Sequence, residues 1–284
     1  VKQTVFLPWV TAGSLINFCD ALMAGGTGRK DHSEIGSSYI HFNFTPHQDK
    51  ATASLVGDVP QGVLLKQPAI FLGGQGGLVG PCVIAYGTVI PAGQIWRGDI
   101  TAPGHLVAKP AFRAPIDMPY DARLYPSVKR VLRNNLRYIG NIAALDMWYR
   151  VARARFMLDD PYAAACHAGA RRRLAEILDE RMARLDELAR KVERSLALAP
   201  GAAAVGEHRV FVEGWPTLKA ALADWLDARE RAAAPETVQA AIAAWPSADY
   251  LSAVQGLPTD AAQTLAGWLE QTVSAASEPC PRCW

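Results

Sequence analysis

The 284-residue chain lacks most of the marks that assign a protein class at once. Net charge is only +2, from 29 basic and 27 acidic residues, so charge gives no argument for a nucleic-acid or membrane partner. No apolar run approaches the roughly 20 residues of a membrane span. Val1 to Val10 carry neither the charged start nor the cleavage site of a signal peptide, so a cytoplasmic location is expected. The first residue is Val1 rather than Met, which reads as a fragment or a processed chain. Cysteine is scarce, and five is an odd number at irregular spacing, which excludes a disulfide framework. Cys280-Pro-Arg-Cys283 has C-x-x-C spacing, but a zinc site needs four ligands and no second pair is present. Reduced thiols in a tail, without metal, are expected there.

What is present is a period of six. From Ile70 to Asp99 the aliphatics Leu72, Leu78, Ile84 and Ile90 recur every sixth residue, and the bulky Trp96 falls on the next step. Gly73, Ala85 and Pro91 follow them as small residues, with Val79 the exception, and Gly74, Gly80, Gly87 and Gly93 mark corners. Six is neither the helical period nor the alternation of a simple strand. It is the period of a parallel β-helix of hexapeptides, in which each aliphatic stacks on its equivalents in neighbouring coils. Val1 to Asp20 reads as strands of earlier coils. Val59–Pro68 reads as an inserted loop between two prolines.

Beyond Asp99 the pattern changes. Pro110, Pro115, Pro119 and Pro126, with Pro103 just before them, make residues 106–126 an extended linker. A basic helix follows from Ser127, with Val128, Val131, Leu132, Leu136 and Ile139 on one face, and then a second helical run, Ile142 to Met157. A third helix spans Tyr162 to Leu198 and presents Leu174, Ile177, Leu178, Leu185, Leu188 and Val192. Its charges, Arg181 among them, are expected on a solvated face. Leu218–Arg231, Glu236–Ala244 and Asp260–Ala276 complete an α-helical region over residues 127–284. The expected class is therefore β then α: a parallel β-helix over residues 1–105, the linker, and a C-terminal α-helical domain.

Three segments carry a resemblance: the hexads of Ile70–Asp99; Glu34-Ile35-Gly36 with Asn43-Phe44, Lys50 and Val56-Gly57-Asp58; and Asn17-Phe18-Cys19-Asp20. Together they resemble the left-handed β-helix, hexapeptide-repeat acyltransferase family. The likeness is to the C-terminal domain of bacterial bifunctional N-acetylglucosamine-1-phosphate uridyltransferase and its UDP-N-acetylglucosamine pyrophosphorylase-related proteins. It covers roughly the first hundred residues. It implies a left-handed coil, a homotrimer with sites between neighbouring subunits, and acyl transfer from acetyl-CoA or another acyl-CoA to a sugar phosphate or nucleotide sugar. The Gly-rich nucleotide loop of the family's uridyltransferase half is missing, so nucleotide transfer is not expected.

Residue by residue, Asn43 matches the family's sugar-site Asn, Phe44 replaces a Tyr, Lys50 matches a Lys and Asp20 a Glu. The family's A-G-H, which bears the general base, reads Ala24-Gly25-Gly26 here. A substitute base would be His32 or His41, since imidazole titrates in the useful range. Asn43, Lys50, Asp20 and His47 would bind substrate. A three-histidine metal site on His32, His41 and His47 has no matching spacing. The rival expectation is a catalytically inactive trimeric scaffold or binding module that has lost its base at Gly26.

Overall fold

The computed structural model describes residues 1–47, 50–109, 121–125, 127–201, 203–246 and 249–278. The strands are short because apolar residues alternate with turn residues every few positions. In order they are β1 (Lys2–Phe6), β2 (Val10–Ala12), β3 (Cys19–Met23), β4 (Gly26–Gly28), β5 (Asp31–Ile35), β6 (Ile40–Phe42), β7 (Ser54–Val56), β8 (Phe71–Leu72), β9 (Gly77–Val79), β10 (Val83–Ile84), β11 (Val89–Ile90) and β12 (Ile95–Arg97). Three parallel sheets result, ordered β1-β3-β7-β10, β2-β5-β8-β11 and β6-β9-β12. β4 is the exception and pairs antiparallel with β5. In register, Ile35 lies beside Leu72 and Leu72 beside Ile90, so like side chains stack along a sheet. Leu72, Leu78, Ile84 and Ile90 are all fully buried. Successive turns approach closely: a Cβ on Gly73 would fall 2.2 Å from the Ala92 nitrogen.

The expected class is corrected. The described residues form a mixed α/β fold of three short parallel sheets and seven helices, with no closed β-helix among them. The six-residue register fails at identifiable places. The β4/β5 hairpin breaks it first, and the stretch between β6 and β7 contains no strand among its described residues. The expected inserted loop supplies a third interruption. Val59–Gly62 is a helical turn, α1, whose N-cap Asp58 accepts a hydrogen bond from the Gln61 amide at 3.0 Å. Val59, Val63, Leu64 and Leu65 are buried, so the insertion is a docking surface rather than a solvent loop.

The remaining helices are α2 (Lys129–Val151), α3 (Pro161–Leu198), α4 (Val205–Arg231), α5 (Glu236–Ala243), α6 (Tyr250–Gln255) and α7 (Thr259–Ala275). The two helical runs expected before Met157 are one helix, α2, followed by a 3₁₀ turn at Arg153–Phe156. α3 starts where Asp160 accepts from the Ala163 amide at 2.6 Å and Pro161 occupies the first turn. α4 begins at Val205 and carries Pro216 inside it, well before the expected Leu218. The proline and Gly206 and Gly214 hide this helix from a propensity reading. α6 is likewise additional. Of the expected linker, residues 110–120 and 126 lie outside the described residues, as do Cys280 and Cys283.

The helices and sheets share apolar contacts. One core cluster runs from Leu22, Ile35 and Leu72 to Tyr138, Trp148 and Leu269. Polar pins fix the seam. Asn141 on α2 accepts from the Val59 amide at 2.8 Å, Gln61 donates to Glu270 of α7 at 2.9 Å, and Lys66 donates to the Leu257 carbonyl at 2.6 Å. The basic face of α2 is also used: Arg133 and Asn134 hold Asp99 at 3.0 and 2.9 Å.

Candidate functional site

Asp20, Asn43 and Lys50 are brought together, but around a partner that the sequence reading placed in solvent. Asp20 on β3 receives the Arg181 guanidinium of α3 at 2.9 Å and the Asn43 amide at 3.2 Å. The second Arg181 nitrogen donates to the Lys50 carbonyl at 2.9 Å, so Lys50 contributes its main chain here. Thr52 closes the ring by donating to the Asn43 carbonyl at 3.1 Å. The Arg181 and Asp20 side chains are 1% and 4% exposed. The Arg181 guanidinium of α3 therefore sits, buried, among the residues expected to bind sugar. A signal for this existed. Arg181 falls four residues after Ile177 and four before Leu185, inside the apolar stripe of α3, where a charge must be buried or paired.

His41 on β6 is 1% exposed. Its Nδ1 faces the Cys19 carbonyl. A carbonyl only accepts, so Nδ1 carries the proton and Nε2 accepts from the Ser54 hydroxyl at 2.8 Å. Ser54 Oγ in turn accepts from the Cys82 amide at 3.1 Å. A Ser–His contact with the far ring nitrogen held by a carbonyl has the spacing of a nucleophile and its base. Ser54 and Cys82 are fully buried, so the pair is closed to solvent in this conformation. Burial pushes the Cys82 thiol up to about 12. Burial also lowers His41 to about 4, opposed by the Cys19 carbonyl and the Asp20 charge and reinforced by Arg181.

This gives a pH prediction. An unfolded His takes its proton near pH 6.5, and His41 in the fold takes it only near pH 4. Between those values the unfolded chain binds more protons, so stability is full above the upper value and falls as pH drops toward the lower one. The loss is on the order of 3 kcal/mol. His208, lowered mainly by burial, contributes in the same sense. Urea midpoints across this window should show the loss, and His41→Gln should remove most of the slope. An unchanged slope in that variant would assign the effect to other groups.

The other histidines are elsewhere. His32 lies on β5, in a different sheet from His41, and its Nδ1 contacts the Arg29 carbonyl at 2.9 Å within the hairpin. The structure therefore does not pair the two expected catalytic histidines. Gly26, which stands at the position that the resemblance aligns with a histidine, is at a tight corner. Its φ is +98°, and a Cβ there would fall 2.8 Å from both the Asp31 carbonyl oxygen and the His32 Cα. A histidine at this position would collide with backbone. His47 stacks on Tyr125 at 4.4 Å and contacts the Ala122 carbonyl, away from His41 and its partners.

Among the described residues no group of three or more His, Cys, Asp or Glu is placed to hold a metal ion. Among them no helix is long and apolar enough to cross a membrane. No family model matches the chain, and no curated protein matches it.

Proposed function

We propose that this chain is a catalytically inactive, cytoplasmic binding and assembly module related to the sugar-nucleotide acyltransferases that its sequence resembles. It is a homotrimer on the same resemblance. The observation that carries this reading is the buried Arg181–Asp20 pair, which engages Asn43 and the Lys50 carbonyl, residues that the resemblance assigns to sugar binding. The collision at Gly26 supports it, because the position that bears the general base in that family has no room for one here.

The second reading is acyl transfer from an acyl-CoA to a sugar phosphate or nucleotide sugar. It is favoured by the Ser54–His41 contact and requires α3 to lift from β3 before substrate can enter. Calorimetry with acetyl-CoA, and thiol release from acetyl-CoA in the presence of glucosamine 1-phosphate, separate the two. The module is expected to show neither binding nor release, as an oligomer measured in the same sample. Thiol release that His41→Ala or His32→Ala abolishes would overturn it.

A further inference from the structure

An open cavity of about 520 Å³ lies at the seam of α1, α2 and α7, away from the closed cluster. This is the size of an ordinary small-ligand site. Its walls come from Asp58, Arg133, Arg137, Asn141, Glu270 and Ser274, and Ser277 stands at its edge. Much of the lining is held rigidly. Asp58 accepts from the Gln61 amide and from the Tyr86 hydroxyl at 3.2 Å. Glu270 accepts from Gln61 through one oxygen, and the fully buried Asn141 is fixed by the Val59 amide and the Arg137 carbonyl.

The charges decide what fits. Arg133 is already paired with Asp99 at 3.0 Å. The Arg137 guanidinium, one turn along the same face of α2, makes no ion pair or hydrogen bond among the described residues, although its charge opposes the rise that burial gives the Asp58 carboxyl across the cavity. Across from it, Asp58 and Glu270 each keep one carboxylate oxygen without a partner among those residues. A phosphate dianion would meet one available guanidinium and two carboxylates. A plain amine would leave Arg137 unanswered. A ligand with one negative and one positive end answers both, and the Ser274 and Ser277 hydroxyls can serve either end.

We infer that this cavity binds a small zwitterion of the amino-acid class, its carboxylate on Arg137 and its ammonium between Asp58 and Glu270. The site is independent of the acyltransferase question. Thermal shift and calorimetry on the full chain, with the standard free amino acids as probes, test it. At least one amino acid should bind and raise the melting temperature by mass action. Arg137→Ala and Glu270→Gln should each weaken it about tenfold or more. Neither residue is in the core, so both variants should keep the wild-type circular dichroism. The amine without the carboxylate and the 2-hydroxy acid without the ammonium should each bind about tenfold more weakly. Absence of any binding at millimolar amino acid overturns the inference. So does wild-type affinity in both variants, or equal affinity for the hydroxy acid.

Discussion

Replacing Arg181 by alanine is expected to destabilise the protein by about 3–5 kcal/mol. The guanidinium answers the Asp20 carboxylate and the Lys50 carbonyl, in a site where its own side chain is 1% exposed. Removing it leaves a buried carboxylate facing only the Asn43 amide. The cost is that of an uncompensated charge more than of a lost contact. A sharper result comes from Asp20→Asn combined with Arg181→Met, which removes both charges and keeps volume. Buried pairs replaced in this way are often neutral or stabilising, so the double variant should recover most of the loss. Urea midpoints of the wild type, both single variants and the double variant measure this as a cycle. A single-variant loss below about 1 kcal/mol would show that water reaches Asp20, and the reading built on the buried pair would go with it.

Trp148→Ala should cost a similar amount, about 3–5 kcal/mol, for a different reason. Trp148 lies on the buried face of α2 at 1% exposure, tilts against Trp245 with ring centres 5.8 Å apart, and donates its Nε1 proton to the Tyr250 hydroxyl at 3.0 Å. Phe156 packs on the same Trp245 ring at 5.3 Å. Truncation opens a cavity beside Trp245 and Tyr250, and the Tyr250 hydroxyl loses the indole donor while keeping Arg153. Trp148→Phe refills most of that space and drops only the indole N–H, so about 1 kcal/mol of hydrogen-bond loss is expected, with some under-packing added. If phenylalanine were as damaging as alanine, the Tyr250 contact rather than packing would govern the site.

The sequence makes the stacked aliphatics readable because period six is unusual and survives from Leu72 to Ile90. It does not make closure readable. Closure depends on corners and on the segments between β6 and β7, where the hexads lapse, and no local signal reports how a corner turns. The helical stripe of α3 is legible from 3-and-4 spacing, yet the same stripe holds Arg181, which charge alone assigns to solvent. Its placement depends on Asp20, 161 residues away, and a pairing at that separation leaves no periodic trace. The two helical runs read in the sequence on either side of Gly140 and Asn141 are one helix, α2. In the fold, a Cβ on Gly140 would fall 2.8 Å from the Val273 carbonyl oxygen, and Asn141 pins α1, so both residues serve contacts with other elements. Asn43 and Asp20 were found by resemblance. Ser54, Thr52 and Cys82 were missed because a buried hydroxyl or thiol in a strand looks like any other small residue.

The docking of α1 has a consequence for how the protein is made. Val59, Val63, Leu64 and Leu65 present an apolar face early in the chain, and α7, part of the seam that covers it, is synthesised much later. At ribosomal rates of about 5–20 residues per second, the roughly 200 residues between them take on the order of 10–40 seconds to emerge. For that interval the apolar face of α1 lacks its α7 cover. A chaperone that shields this face during translation would then matter more to yield than the equilibrium stability of the finished fold.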